Sequence, residues 1–445
     1  MNKNLIRNKK ILEIFIFLSL ILTFLDSYEY MKFPLTWMGN FMIITICIFI
    51  FYKEKMKINF FFFLIIFITL LPTIFNLLNL NILSSEIIYT LTRVTSYLGF
   101  IFTIFVISKS QYKDVFLKTL INVFYLIVVL SIYIYFAQLF NLFEPIRNRP
   151  GTGIFGFDLQ TNFWSSGSHR MIGTFREPVF LVSILFPSFL VIHYKSINKT
   201  FFYVLSAILF GLTKSELSLI LIATFIFVEV VLVKKLNLKL SIFSFVFLIC
   251  FFIPIKECDI SPKNYECSQK NDIVISNNLS DEVLANQQSS PQDFEFQNRE
   301  RIDTVRFFYD FLSNNSGYGF QSANQIYTNY LAKDVKNEMY FTNRTLPEYL
   351  NVKYLSESFG TGRYFLTYEN INLQNNFMFN LFSIGMIYAI LLFWLILFSL
   401  QINYQNGLKI MLILFSVSIS SIEDLLPIYG LYLSLMLTME QNEHK

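Results

Sequence analysis

At 445 residues, with 54% hydrophobic and 18% aromatic residues and a mean hydropathy of +0.50, this chain has a composition that lipid, not water, solvates. Its formal charge of +4 is small for that length and supplies no basic face of the kind a nucleic-acid partner needs. The surplus of Phe, Ile, Asn and Lys reads as codon bias in an AT-rich genome and carries no chemistry.

A helix needs roughly 17 to 25 apolar residues to cross a bilayer, and about twelve such runs are read along the chain. They fall near residues 11–25, 35–52, 58–78, 87–107, 115–140, 178–194, 200–213, 217–233, 239–255, 376–400, 408–421 and 425–439. The expected fold is an all-α polytopic membrane protein in five segments. These are N-terminal transmembrane helices in 1–140, a first long external loop in 141–177, central helices in 178–255, a large external loop domain in 256–375, and C-terminal helices with a short tail in 376–445. The first run follows Lys3, Arg7, Lys9 and Lys10 as a signal peptide would. Asp26-Ser27-Tyr28-Glu29 offers no small-residue cleavage site, so this run is expected to stay as a helix.

Basic residues of short loops stay on the cytoplasmic side. The N-terminal tail, Lys53/Lys55/Lys57, Lys109/Lys113, Lys195/Lys199, Lys234/Lys235/Lys239 and Lys409 fall on alternate loops, which places both termini inside and the two long loops outside.

The first long loop contains Arg147 and Arg149, then an aromatic polar stretch, and ends in His169-Arg170-Met171-Ile172-Gly173-Thr174-Phe175-Arg176-Glu177-Pro178 against the next apolar run. Charged side chains at such a boundary are costly to hold and mark a site for an anionic ligand. Guanidinium groups stay charged and present a planar fork of donors that matches phosphate oxygens in pairs, so Arg170 and Arg176 suit a diphosphate held at the membrane surface. Pro178 fits the first helical turn, which sets Glu177 beside a helix N-terminus, where a carboxylate is favoured and where it is also within reach of an arginine. The alternative is a structural ion-pair network that only caps the helix.

The large loop changes composition to Asn, Gln, Ser, Asp and Glu, with an irregular first part over 257–297. From Glu295 to Leu312 the apolar residues Ile302, Val305, Phe308, Phe311 and Leu312 recur at helical spacing, with Arg299, Arg301 and Arg306 on the other faces and a stop at Ser316-Gly317-Tyr318-Gly319. Cys258 and Cys267 are spaced for a short disulfide in an oxidising compartment, though two free thiols fit equally well. With only His169, His193 and His444 in the chain, no metal site is expected. Arg93 sits within a span, either lining a cavity or pairing with Glu86; Glu216 and Glu229 lie near helix ends and read as structural, and Glu423-Asp424 as a solvated turn.

The run Arg170-x-x-Gly173-Thr174-Phe175-x-Glu177-Pro178 resembles the segment ahead of a membrane helix in the O-antigen and capsule repeat-unit polymerases of the Wzy type and their ligase relatives. Arg299-x-Arg301, an amphipathic helix and Gly317-Tyr318-Gly319-Phe320 are similar to that family's arginine, helix and glycine-turn arrangement. Asn375-Asn376-Phe377-Met378-Phe379 with Gly385 has the spacing of its His-Asn motif, with Asn375 at the histidine position, a departure from the ligase pattern.

The resemblance implies a helical membrane glycosyltransferase of GT-C-like architecture in the bacterial cytoplasmic membrane, without cofactor or metal. Its substrate is a polyprenyl-diphosphate-linked oligosaccharide, and a chain-length regulator and a flippase are its candidate membrane partners. Arg170, Arg176 and Glu177 are then the expected catalytic residues, with His169, Arg299, Arg301, Arg306, Asn375 and Asn376 binding substrate. Glu177 or His169, or Glu300 or Asp303 from the second loop, are the candidate bases for the acceptor hydroxyl. Two other readings stay open, a ligase that moves a finished glycan and a flippase for the lipid-linked oligosaccharide. The long second loop and the lack of an internal repeat weigh against the flippase.

Overall fold

The computed structural model describes residues 3–30, 33–57, 63, 66–71, 73–74, 84–140, 142, 170–195, 200–232, 238–253, 380, 404–420, 422 and 425–437. The backbone clusters into two compact units. One is Met1–Phe60, Arg93–Asn264 and Phe393–Lys445, and the other is Phe61–Thr92 and Tyr265–Leu392. The first unit carries the helices around the candidate site. Most of the expected spans near 58–78 and 376–400, the loop up to His169, and the domain over 256–375 with Cys258, Cys267, Arg299, Arg301, Arg306, Asn375 and Asn376 lie outside the described residues.

Helices α1 (Lys3–Thr23) and α2 (Leu35–Lys53) form an antiparallel pair. They are joined by a turn that contains the two-residue strands β1 (Glu29–Tyr30) and β2 (Phe33–Pro34), in which Glu29 pairs with Pro34 and Tyr30 with Phe33. Pro34, in extended conformation, ends the ladder and starts α2, and Lys53 in its last turn complements the negative end of the helix dipole. Next come α3 (Ser84–Lys109) and α4 (Lys113–Leu139), the latter with Asp114 in its first turn. Helix α5 (Pro178–Lys195) follows the candidate segment. Helix α6 (Thr200–Leu212) leads to α7 (Glu216–Phe227), which runs on into a π-helical turn over Val228–Leu232. Helix α8 (Leu238–Phe252) packs most closely on α6; α9 (Tyr404–Ser418) and α10 (Pro427–Leu437) complete the bundle.

These helices lie on the apolar runs read from sequence. Among the described residues, four segments are long and apolar enough to cross a membrane: Leu35–Lys53, Thr90–Lys109, Lys113–Ala137 and Pro178–Lys195. Helices α6, α8, α9 and α10 are apolar but shorter, and the whole fits a helical membrane protein. Large apolar side chains such as Ile14, Phe15, Phe49, Leu126, Val129 and Phe245 point outward, as lipid-facing positions do.

Helices α5 and α10 form the centre, since nearly every residue of each that has apolar character is buried. Phe189 of α5 stacks on Phe202 at 5.3 Å and on Phe243 at 5.3 Å, and meets Phe210 and Phe225 edge-on, so one ring ties α5 to α6, α7 and α8. Helix α10 is held by polar contacts that also satisfy buried groups. The Ile428 N–H donates to Asn40 Oδ1 (3.1 Å), and the Tyr432 hydroxyl donates to the Ile184 carbonyl (3.2 Å). Ahead of α10, the Ser96 hydroxyl donates to the Leu425 carbonyl (3.1 Å). Pro187 lies inside α5, where a missing N–H is tolerated because neighbouring helices pack around the freed carbonyl.

The two ends of this bundle differ in character. At one, Glu54 Oε1 accepts from the Ser110 hydroxyl and the Gln111 N–H, both at 3.2 Å, and Lys53 lies over the Tyr112 ring at 5.0 Å. Lys53 and Lys109 close their helices in this region. At the opposite end of α1 and α2, the turn after Thr23 meets the segment 170–177.

Gly39 is the closest approach of α2 to α1: a β-carbon there meets Thr23 and comes within 2.6 Å of the Ser19 carbonyl oxygen. Gly39→Ala is expected to lower the thermal midpoint of the detergent-purified protein, corresponding to a loss of roughly 1–3 kcal/mol from overpacking. An unchanged midpoint in a fluorescence-detected melting assay would show that the hairpin adjusts freely.

Candidate functional site

The candidate site begins with a short segment pinned between two turns. Met171, Ile172, Thr174 and Phe175 are buried, as apolar residues beside a helical core should be. The Met171 N–H donates to the carbonyl of Leu212, the last residue of α6 (2.8 Å). The Thr174 hydroxyl donates to the Phe24 carbonyl (2.6 Å), and the Thr174 carbonyl accepts the Ser27 N–H (3.2 Å). Backbone groups of a non-helical segment buried in a bundle need such partners, since lipid provides none.

A turn inside this segment brings the Phe175 N–H to the Ile172 carbonyl (3.1 Å) and passes through Gly173 at φ +56°. That left-handed conformation, and a β-carbon position that would fall on Ser131 of α4, restrict the position to glycine. The Glu177 carbonyl then accepts the first helical bond from Leu181 (3.2 Å), with Pro178 at the first position of α5.

The arginines flank this buried segment, and each is anchored to a different turn. The Arg170 Nε donates to the Thr213 carbonyl (3.1 Å), at the turn between α6 and α7. The next residue in that turn, Lys214, has a left-handed backbone (φ +48°), and its ammonium donates to the Ile253 carbonyl just past α8. Partial burial pulls the pKa of Lys214 down.

Arg176 is held by Asp26, in the turn after α1. Its Nε donates to the Asp26 carbonyl (3.2 Å) and lies 3.9 Å from Oδ2, while its backbone N–H donates to Oδ2 (3.4 Å). The Thr36 hydroxyl donates to Asp26 Oδ1 (3.3 Å). Burial pushes the Asp26 carboxyl pKa up; Arg176, its N–H and Thr36 oppose that rise, and the nearby Glu177 adds to it.

Of the residues expected from sequence, Arg170, Arg176 and Glu177 are therefore placed at one end of the bundle on one continuous segment. Both guanidinium groups are partly exposed and the Glu177 side chain is open to the surroundings. His169, Arg299, Arg301, Arg306, Asn375 and Asn376 lie outside the described residues. Asp26 and Lys214 were not singled out by the sequence. Nothing local relates Asp26 to a partner 150 positions away, and Lys214 differs from the other lysines only in its turn.

Chemically, this arrangement offers cationic groups with fixed directions and a carboxylate beside a helix N-terminus. It is a setting for an anion with several oxygens. Among the described residues no group of three His, Cys, Asp or Glu side chains is gathered to hold a metal ion.

A second polar cluster lies near the other end of α5. His193 Nδ1 is 2.7 Å from the Tyr203 hydroxyl, and Nε2 is 3.7 Å from Oε1 of Glu229, which the π-helical turn after α7 carries. Glu229 is 5% exposed, and Lys409 lies over the neighbouring Tyr194 ring at 5.4 Å. The pairing of this buried carboxylate with a histidine on another helix agrees with a structural role for Glu229 near its helix end.

No protein-family model, curated protein or solved structure matches the chain.

Two substitutions separate backbone from side-chain control of the segment. Gly173→Ala combines the left-handed penalty, about 1–2 kcal/mol, with the collision at Ser131. Thr174→Val removes one buried hydrogen bond, worth about 1–3 kcal/mol where a carbonyl is left unpaired. Gly173→Ala is expected to reduce folded yield and melting temperature more than Thr174→Val, measured on the purified protein at equal expression.

Proposed function

We propose that this chain is a glycosyltransferase of the bacterial cytoplasmic membrane. It polymerises lipid-linked oligosaccharide repeat units by moving the growing glycan from polyprenyl diphosphate to the next lipid-linked unit on the outer face. In this reading about twelve helices span the bilayer, both termini are cytoplasmic, and the loops over 141–177 and 256–375 are external. The observation that carries the proposal is the pair of anchored, partly exposed arginines, Arg170 and Arg176, flanking a buried segment at the end of the bundle away from Lys53 and Lys109. The order of the Arg170-to-Pro178 run, the Arg299-x-Arg301 helix and Asn375-Asn376 along the chain supports it from sequence.

The reaction breaks the bond between the donor's anomeric carbon and the diphosphate oxygen, which leaves with the electron pair. The acceptor hydroxyl oxygen forms the new glycosidic bond and gives its proton to a base. Arg170 and Arg176 stabilise the charge that grows on the departing diphosphate, in a site where low dielectric makes such contacts strong. The diphosphate is already a good leaving group, so charge stabilisation and positioning account for most of the acceleration.

Arg299, Arg301 and Arg306 assist from the large loop, and Asn375 and Asn376 hold the glycan. Glu177, exposed at the start of α5, takes the acceptor proton, with His169, Glu300 and Asp303 as the other candidates. The chain-length regulator and the flippase are the membrane partners of this step.

Deleting the gene is expected to collapse the cellular glycan ladder on a gel to single repeat units. Wild type should restore the ladder, whereas Arg170→Ala and Arg176→Ala, at equal membrane levels, should fall short by roughly 10²-fold in polymer formation. Unchanged polymer in the deletion strain would refute the polymerase, and complete loss of surface glycan would indicate the flippase or the ligase.

A further inference from the structure

Asp26 is a costly residue for its place in the fold. It sits largely buried in the turn after α1, and desolvation raises its pKa although Arg176 and Thr36 both favour its charged form. A raised carboxyl pKa means that ionisation is harder in the folded chain than in the unfolded one. Ionised Asp26 therefore subtracts from stability at neutral pH, and that cost disappears as pH falls through the raised value. A group that served only to hold the turn together would be better neutral.

Its contacts run to Arg176 and Thr36, and the hydrogen bond to the guanidinium is taken by its backbone carbonyl. The Asp26 carbonyl takes the Arg176 Nε–H at 3.2 Å, its Oδ2 takes the Arg176 backbone N–H at 3.4 Å and lies 3.9 Å from Nε, and its Oδ1 is fixed by the Thr36 hydroxyl at 3.3 Å. A guanidinium is planar, so an edge fixed at Nε determines the plane and direction of the remaining donors. Thr36 lies in the first turn of α2, and its single hydroxyl proton is shared between Asp26 Oδ1 and the Thr23 carbonyl, each at 3.3 Å, so the hairpin itself holds the carboxylate in part.

Resting on the reading of Arg176 as a diphosphate ligand, we infer that Asp26 is a positioning residue. It aims the Arg176 guanidinium toward the lipid-linked diphosphate and keeps it from wandering over the other orientations open to a long side chain. Order imposed before binding lowers the entropy lost on binding, which is how a residue without ligand contact strengthens affinity.

The test uses the full-length protein in phosphatidylcholine nanodiscs, with polyprenyl diphosphate as probe. Affinity and melting temperature are measured for wild type, Asp26→Asn, Arg176→Ala and the double variant. Arg176→Ala is expected to weaken binding by roughly 10²-fold and Asp26→Asn by about threefold, the scale of one loose ion pair, because the Nε bond to the Asp26 carbonyl survives the substitution. The double variant should bind no more weakly than Arg176→Ala alone, because both changes act through one group. Asp26→Asn should melt at or above wild type at pH 7.5. The affinity of wild type relative to Asp26→Asn should shrink as pH is lowered toward the acid range, where Asp26 takes up its proton.

If Asp26→Asn binds like wild type while Arg176→Ala is impaired, the positioning role is wrong and the arginine reading stands. If Arg176→Ala binds like wild type, the reading of Arg176 fails and the inference falls with it. An Asp26→Asn protein that does not fold, or whose loss adds to that of Arg176→Ala, makes Asp26 a structural residue and also overturns the inference.

Discussion

Everything at the candidate site depends on how five residues, Met171 to Phe175, are accommodated as irregular backbone inside a helical bundle. Such a segment survives only if its N–H and C=O groups find partners in protein. Here the backbone partners are the Leu212 carbonyl at the end of α6 and the Ser27 N–H in the turn after α1, and the Thr174 hydroxyl adds a bond to the Phe24 carbonyl just past α1. Helix C-termini always carry unsatisfied carbonyls, so the segment satisfies two of them while satisfying itself. The same contacts determine where α5 begins, and hence where Arg170, Arg176 and Glu177 stand. A change that loosened this docking would move all three together.

The distribution of charge follows from the same division of labour. Lysines cluster where helices α2 and α3 end, and they are tied there by modest surface contacts with Glu54 and Tyr112 as neighbours. Arg170 and Arg176 stand at the opposite end of α1 and α2, where each has a backbone carbonyl to bond. Lysine's compact, strongly hydrated charge suits an anchoring role at a water boundary, whereas arginine's fork keeps a direction when partly buried.

Most helices were legible from sequence because a long apolar run in this composition has few other fates. Residues 178–195 read as a helix from Pro178 onward and form one, and the short runs of α6 and α7 separate at Thr213, where the turn occurs. Arg170, Arg176 and Glu177 were legible as candidates because charge beside an apolar run is rare. Their partners were not. Arg176 is held by a residue from a turn 150 positions earlier, and Arg170 by a carbonyl 43 positions later, and neither separation has any periodicity for a sequence to display. The role of Gly173 was legible only as part of a motif; the reason for it is a side chain of α4, Ser131, that tertiary packing brings beneath it. Glu229 is legible as a structural residue near a helix end, but its partner His193 sits on another helix and no local pattern shows it.

That widened turn, Val228–Leu232, has a geometric consequence of its own. A π-helical turn absorbs one residue more than an α-helix would need, and one residue corresponds to about 100° of rotation around the axis. That offset accumulates only across the turn, and at its start Val228 and Glu229 still continue the buried face of Ser218, Leu221, Ile222 and Phe225. The carboxylate of Glu229, four positions after Phe225, stays on the buried face of α7 and enters the interior beside His193, while Val231 points outward like Phe227. Removing a single residue between Phe225 and Glu229 would turn the acid by about 100° toward hydrocarbon, so the spacing along this stretch, and not only its composition, is under constraint.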